Sequence, residues 1–152
     1  MDFSAAPKIP MSSPDLGAEE REAVLQVLST NYLSMGPFIR EFEQAFRDFT
    51  GAKHAIAVSS GTAGLHCCVR AAGIKAGDLV LTTPFSFVSS TNVILFENAI
   101  PVFIDAEPQT GNIDVEQLAQ AAADITAGGE RAKKWLPKGV TEHGPLKAIL
   151  PV

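Results

Sequence analysis

Residues 78–106 read DLVLTTPFSFVSSTNVILFENAIPVFIDA, and the way this stretch changes period decides the fold. Its two ends, DLVLTTP (78–84) and IPVFIDA (100–106), are short, continuously apolar runs. Strands that alternate apolar and polar residues keep one face in water, whereas unbroken runs belong to strands covered on both faces. Between them, VSSTNVILFENA (88–99) carries helical spacing. A strand, a helix and a second buried strand in so short a span predict a parallel pair joined by a crossover.

The same rhythm extends outward. HAIAVSS (54–60) and KAILPV (147–152) read as further strands, and TAGLHCCVRAAG (62–73) and VEQLAQAAADI (115–125) as further helices, the last with Asp114 as N-cap. The alternation gives an α/β chain with a mostly parallel sheet flanked by helices. Residues 126–145 break the rhythm with Gly, Pro and charge and are expected to be an inserted surface loop. Trp135 within it either pins the loop to the body or lies at an interface. Upstream, residues 15–29 form an amphipathic helix with an acidic start and Val24, Leu25 and Leu28 on one face. Pro37 opens a second helix that Gly51 stops. In it, Phe38, Phe42, Phe46 and Phe49 make a stripe expected to face a core. The organisation is thus a helical segment over 9–51 and the start of the sheet over 52–152.

Composition narrows the function. A chain of 152 residues that is 46% hydrophobic and 19% charged has the balance of a folded domain. A net charge of −5 argues against nucleic acid as the partner, and the small basic cluster of Arg131, Lys133 and Lys134 reads as a solvated loop. The opening MDFSAAPKIP lacks a signal-peptide layout and no apolar run reaches membrane-spanning length, so a cytoplasmic location away from membranes is expected. Cys67 and Cys68 are adjacent and cannot usefully cross-link, so they are expected to be small core residues. His54 reads as a strand start, His66 as helix packing and His143 as exposed. None has metal-ligand spacing or an evident carboxylate partner, and no metal site is expected.

Ligands of open α/β sheets bind beyond the carboxyl ends of the strands. Two turns there stand out. In Ser59-Ser60-Gly61-Thr62, Gly61 permits close backbone approach and Thr62 adds a hydroxyl to a helix N-terminus, which suits a phosphate. Ser and Thr also cap ordinary helices, and on these residues alone capping is the default. In Thr82-Thr83-Pro84-Phe85-Ser86-Phe87-Val88, the two aromatic rings either fill the core or present one face to a planar group. Neither GxGxxG nor GxxxxGK[ST] is present.

Taken in order, NYLSMGPFIREFEQAF, GAKHAIAVSSGTAGLH, AGDLVLTTPFSFVSSTNVI, AIPVFIDAEPQTGNID and AILPV closely resemble the DegT/DnrJ/EryC1/StrS aminotransferase family. The resemblance runs from about Ile9 to Val152, apart from 126–145. It implies the N-terminal part of the large domain of a type I pyridoxal-phosphate (PLP) transferase. By that resemblance Gly61 and Thr62 match the pair that holds the cofactor phosphate, and Phe87 matches the aromatic that stacks on the pyridine. Asn31, Tyr32, Leu33 and Ser34 match the segment lining the sugar-nucleotide site. Asp105 and Asn112-Ile113-Asp114 are given structural roles.

The resemblance further implies transfer of an amino group, from glutamate, onto a nucleotide-linked keto-sugar in polysaccharide or glycoconjugate synthesis, by a homodimer. The family's Schiff-base lysine has no counterpart among the lysines present, so no catalytic residue is assigned and that lysine is expected beyond Val152. The chain is accordingly expected to be part of a longer protein and inactive alone. Two alternatives stand beside this reading: a PLP-dependent sugar dehydratase with histidine in place of the lysine, and a non-catalytic fragment or assembly module.

Overall fold

The structure, a computed structural model, describes Pro10 and residues 12–152. The start of the chain, read above for its lack of a signal layout, lies outside the described residues. Two compact units are present, Met1–Ala57 and Val58–Val152.

In the first unit, α1 (Ala18–Leu28) and α2 (Pro37–Thr50) form where the sequence placed them. At the start of α1, Glu20 reaches back to accept the Gly17 N–H at 2.6 Å, and its own backbone N–H first, with that of Gly17, holds its carboxyl below the usual range. α2 starts on Pro37 and ends at Gly51 in the left-handed region, φ +70°. Neither helix has a buried residue. Val24, Leu25 and Leu28 are exposed, as are Phe42, Phe46 and Phe49, so the expected core-facing stripe is corrected to a largely surface one in which only Phe38 is half-buried. The four-residue spacing does align the rings, with Phe42 and Phe46 centroids 5.6 Å apart.

The second unit begins with α3 (Gly61–Ala71) and continues through β1 (Leu79–Thr82), α4 (Ser89–Phe96) and β2 (Ile100–Phe103). It is completed by α5 (Val115–Ala127), α6 (Gly129–Lys133) and β3 (Leu146–Leu150). The three strands are parallel in the order β2-β1-β3. Every residue of β1 is buried, which explains its unbroken apolar run. Leu79 and Leu81 join Val102, Ile104, Ala121, Ile125 and Ala132 on the α5/α6 face, while Val80 joins Val69, Val93 and Ile94 on the α3/α4 face.

Several expectations change here. Residues 54–60 form no strand and Ile56 is 81% exposed, so the strand read there is absent. An apolar run becomes a strand only where another strand offers it a ladder. His54 consequently starts no strand. Residues 126–145 are not wholly a loop, since α6 lies within them. Trp135 donates Nε1–H to Asp124 at 2.9 Å, and Lys134 pairs with the same carboxylate at 2.7 Å. These two bonds, Lys134 first, pull the Asp124 carboxyl down to about 2 and pin α6 to α5. The basic cluster is therefore partly engaged rather than simply solvated. Cys67 and Cys68 are exposed and free, not core, because Val69 marks the inner face of α3.

Candidate functional site: two turns at the carboxyl end of the sheet

The chain leaves β1 toward one edge through α4 and returns to the other edge through α5, with the two helices on opposite faces. Such a reversal of direction defines the switch point of an open α/β sheet, and ligands bind at its carboxyl end. The turn after β1 lies there. α3 packs along the same face as α4 and leads through a short turn into the amino end of β1, which directs its own N-terminus to the carboxyl end.

The α3 start is shaped by Ser60, whose backbone is extended (φ −165°, ψ 162°) and whose Oγ accepts the Ala63 N–H at 3.1 Å. Ser60 carbonyl accepts the Gly64 N–H at 3.0 Å. One cap serves one donor, and the N–H groups of Gly61 and Thr62 have no acceptor among the described residues. A Cβ built on Gly61 meets nothing within 4 Å, so no neighbouring side chain crowds that position. A Cβ on Gly64 would touch Val58 Cγ2 at 3.4 Å, an ordinary van der Waals contact.

The second turn is held by its own hydroxyls. Thr83 Oγ1 accepts the Phe85 N–H at 3.3 Å, and Ser86 Oγ lies 2.8 Å from Ser90 Oγ and 2.9 Å from the Phe87 carbonyl. The Phe87 carbonyl also accepts the Ser90 N–H at 3.1 Å. The backbone of Phe87 is thereby fixed while its ring is 77% exposed. Phe85 is 69% exposed too, so neither ring fills the core. They differ in their surroundings. Gly111, at φ +75°, comes so close to Phe85 that a Cβ would stand 3.0 Å from its Cε1. Gly111 belongs to a turn in which Glu107 accepts from the Gln109 N–H and the Thr110 hydroxyl, which lower its carboxyl. Phe87 is the more exposed of the two.

Asp105 is exposed, its Oδ1 accepts the Ala106 N–H at 2.8 Å, and its carbonyl accepts the Asp114 N–H, a structural arrangement. Ile113 bridges to Ala106, and Asp114 caps α5. Asn31, Tyr32, Leu33 and Ser34 belong to the first unit, between α1 and α2, and all four are exposed. There the Tyr32 N–H is held by Thr30 Oγ1 at 3.2 Å, and Met35 takes φ +52°. Gly36 is required next, because a Cβ would lie 3.0 Å from both Tyr32 Cβ and Tyr32 O. No group of His, Cys, Asp and Glu among the described residues could hold a metal. The sequence reading missed one polar contact: His66 Nε2 lies 2.6 Å from Glu97 Oε1, a carboxylate partner it did not find.

Comparison with known proteins decides the family. Residues 14–152 match the DegT/DnrJ/EryC1/StrS aminotransferase family. The chain belongs to that family. Among curated relatives, the spore coat polysaccharide biosynthesis protein SpsC of Bacillus subtilis is 43% identical over 78% of this chain and 30% of its own. GDP-perosamine synthase of Caulobacter vibrioides is 40% identical over 76% of this chain and 32% of its own. The chain therefore spans about a third of the length of the curated relatives it matches.

Among solved structures, Helicobacter pylori PseC, an aminotransferase involved in the biosynthesis of pseudoaminic acid, superposes with a TM-score of 0.71. It is 31% identical and covers 94% of this chain and 33% of its own. GDP-4-keto-6-deoxymannose-3-dehydratase, solved with a trapped PLP-glutamate geminal diamine, gives a TM-score of 0.69 at 26% identity, covering 75% of this chain and 31% of its own. The fold is that of the PLP-dependent aminotransferases of type I, and pyridoxal 5′-phosphate is the cofactor of the DegT/DnrJ/EryC1/StrS family. The open α3 start fits the phosphate of that cofactor on its own chemistry, with paired N–H donors, a helix dipole and no side chain in the way.

Proposed function

We propose that this chain supplies the phosphate and ring-stacking half of the cofactor site of a PLP-dependent sugar aminotransferase. The whole enzyme moves an amino group, from glutamate, onto a nucleotide-linked keto-sugar in polysaccharide or glycoconjugate synthesis. The observation that carries the reading is the unpartnered N-terminus of α3, at the same end of the sheet as the exposed Phe87 ring. The Gly61 and Thr62 N–H groups and the Thr62 hydroxyl bind the phosphate oxygens, anchoring the cofactor by its non-reacting end. Phe87, fixed through Ser86 and Ser90, stacks on the pyridine and sets its plane. When bound, the cofactor supplies the electron sink for amino transfer.

Asn31, Tyr32, Leu33 and Ser34 contact the sugar nucleotide; the printed substrate of GDP-perosamine synthase supports that substrate class. The protein works in the cytoplasm as a homodimer, without nucleic acid or membrane as partner, and this stretch alone has no turnover. Among the described residues, no helix is long and apolar enough to cross a membrane.

The test is direct. The whole enzyme is titrated with PLP while visible absorbance is followed, and then supplied with glutamate and a nucleotide-linked keto-sugar. A visible band and a sugar product that has gained nitrogen are expected. Absence of both contradicts the proposal. A second reading, sugar dehydration, is favoured by the dehydratase among the structural neighbours. A product that has lost water without gaining nitrogen selects it.

A further inference from the structure

We propose that His66 and Glu97 are a positioning pair that fixes the N-terminus of α3 for the cofactor phosphate, an inference that rests on the cofactor reading above. α3 carries Gly61 and Thr62 at its start, and α4 follows directly from the Phe87 turn. The two helices meet through apolar side chains, with Val69 and Leu65 in one cluster with Val93 and Ile94. Apolar contact is non-directional, so by itself it leaves a helix free to slide or turn slightly. A hydrogen bond constrains both distance and angle. Among the described residues, the polar tie between α3 and α4 is His66 Nε2 to Glu97 Oε1 at 2.6 Å, with Arg70 Nη1 behind it at 3.8 Å. The edge of the His66 ring also meets Phe96, centroids 5.3 Å apart.

The placement of Glu97 argues that this tie has a purpose beyond stabilising its own helix. Glu97 is the C-cap of α4, where a carboxylate opposes the negative end of the helix dipole. Its backbone is nonetheless rigid. Asn98 follows at φ +55°, the Ala99 N–H bonds back to Ile94, and the Asn98 carbonyl accepts the Gly77 N–H at 2.9 Å. That last bond ties the end of α4 to the segment entering β1. Glu97 is thus a fixed post on the sheet, and its side chain is only 17% exposed. His66 stands five residues after Gly61, roughly 7.5 Å along the helix axis, so a small displacement at His66 carries over to the donors at the α3 start. Phosphate hydrogen bonds weaken steeply with misalignment, so α3 needs this register.

The test compares His66→Ala, Glu97→Ala, His66→Gln and Val69→Ala with the wild-type protein. Affinity is measured for PLP and for pyridoxal, which lacks the phosphate. Thermal midpoint and amide exchange at Ala63 and Gly64 are recorded alongside. H66A and E97A are expected to weaken PLP roughly tenfold while leaving pyridoxal unchanged, the size of effect that one disturbed bond to a charged group produces. H66Q, which still offers an N–H to Glu97, restores most of the loss. V69A loosens the same interface and lowers the thermal midpoint but keeps the wild-type ratio of PLP to pyridoxal affinity. An unchanged ratio in H66A, or a change that V69A reproduces, overturns the proposal. If the wild type itself does not prefer PLP over pyridoxal, the cofactor reading fails separately. Exchange then decides the pair: acceleration at Ala63 and Gly64 in H66A but not H66Q supports it, and unaltered exchange overturns it.

Discussion

Two helices of the second unit begin at its carboxyl-end turns and treat their first N–H groups in opposite ways. At α5, the Asp114 carboxylate accepts from the Glu116 N–H at 3.0 Å and the Gln117 N–H at 2.9 Å, and from the Gln117 side chain at 3.0 Å. The helix brings its own anion. At α3, a neutral serine satisfies a single donor, and the Gly61 and Thr62 N–H groups have no acceptor among the described residues. Both starts look like capped helices in the sequence. The difference is the charge and reach of the capping side chain, and it separates a helix that is complete from one that awaits an anion.

The sharpest way to break the contrast is to make α3 resemble α5. Gly61→Asp places a carboxylate where the phosphate is expected, with no protein atom within 4 Å of the new Cβ. It should weaken PLP by about a hundredfold or more, the loss of two charge-assisted bonds, without lowering the thermal midpoint. A fall in stability with intact PLP binding would collapse the distinction. Thr62→Val removes one hydroxyl and should cost about tenfold in PLP affinity, with pyridoxal unaffected. The reciprocal change, Asp114→Ala, should leave PLP binding intact and lower unfolding stability by about 1 kcal/mol in a denaturant titration.

The smallest effect concerns the far end of α5, where Asp124 is buried beneath Lys134 and Trp135. Its carboxyl is lowered in the folded protein from 3.8 to about 2. The stabilisation is therefore fully present above the unfolded value and lost as pH falls through the folded one. Thermal midpoints of wild type and Asp124→Asn should differ by a constant amount above about pH 4 and converge as pH approaches about 2. A gap that stays constant down to pH 2 would show that the carboxylate charge contributes nothing there.

What the sequence reveals follows from the range of the forces involved. The central strand at 79–82 was legible because burial on both faces writes itself as an unbroken apolar run, and the runs at 100–103 and 146–150 pair with it although they are only partly covered. The run at 54–60 carries the same signature yet finds no strand to pair with, since pairing is settled far along the chain. The Phe42, Phe46 and Phe49 stripe shows the periodicity of a core face, but periodicity gives alignment and not the layer that covers it. α6 is short, opened by Gly128 and Gly129 at positive φ, and held by Trp135 on Asp124, none of which local propensity reports. His66 and Glu97 lie 31 residues apart, so their contact is a property of the packed helices. Of the candidate site, Gly61, Thr62 and Phe87 were singled out by motif order. The hydroxyl network that fixes Phe87 was not, because serines and threonines in a turn look alike until their partners are known.

The contrast between α3 and α5 is tested most directly by backbone amide resonances during titration with PLP, with inorganic phosphate as a second ligand. The Gly61 and Thr62 amides should shift with either ligand and saturate together, while Glu116 and Gln117, already bonded to Asp114, should stay in place. Shifts at Glu116 and Gln117, or none at Gly61 and Thr62, would contradict the assignment of the α3 start as the phosphate site.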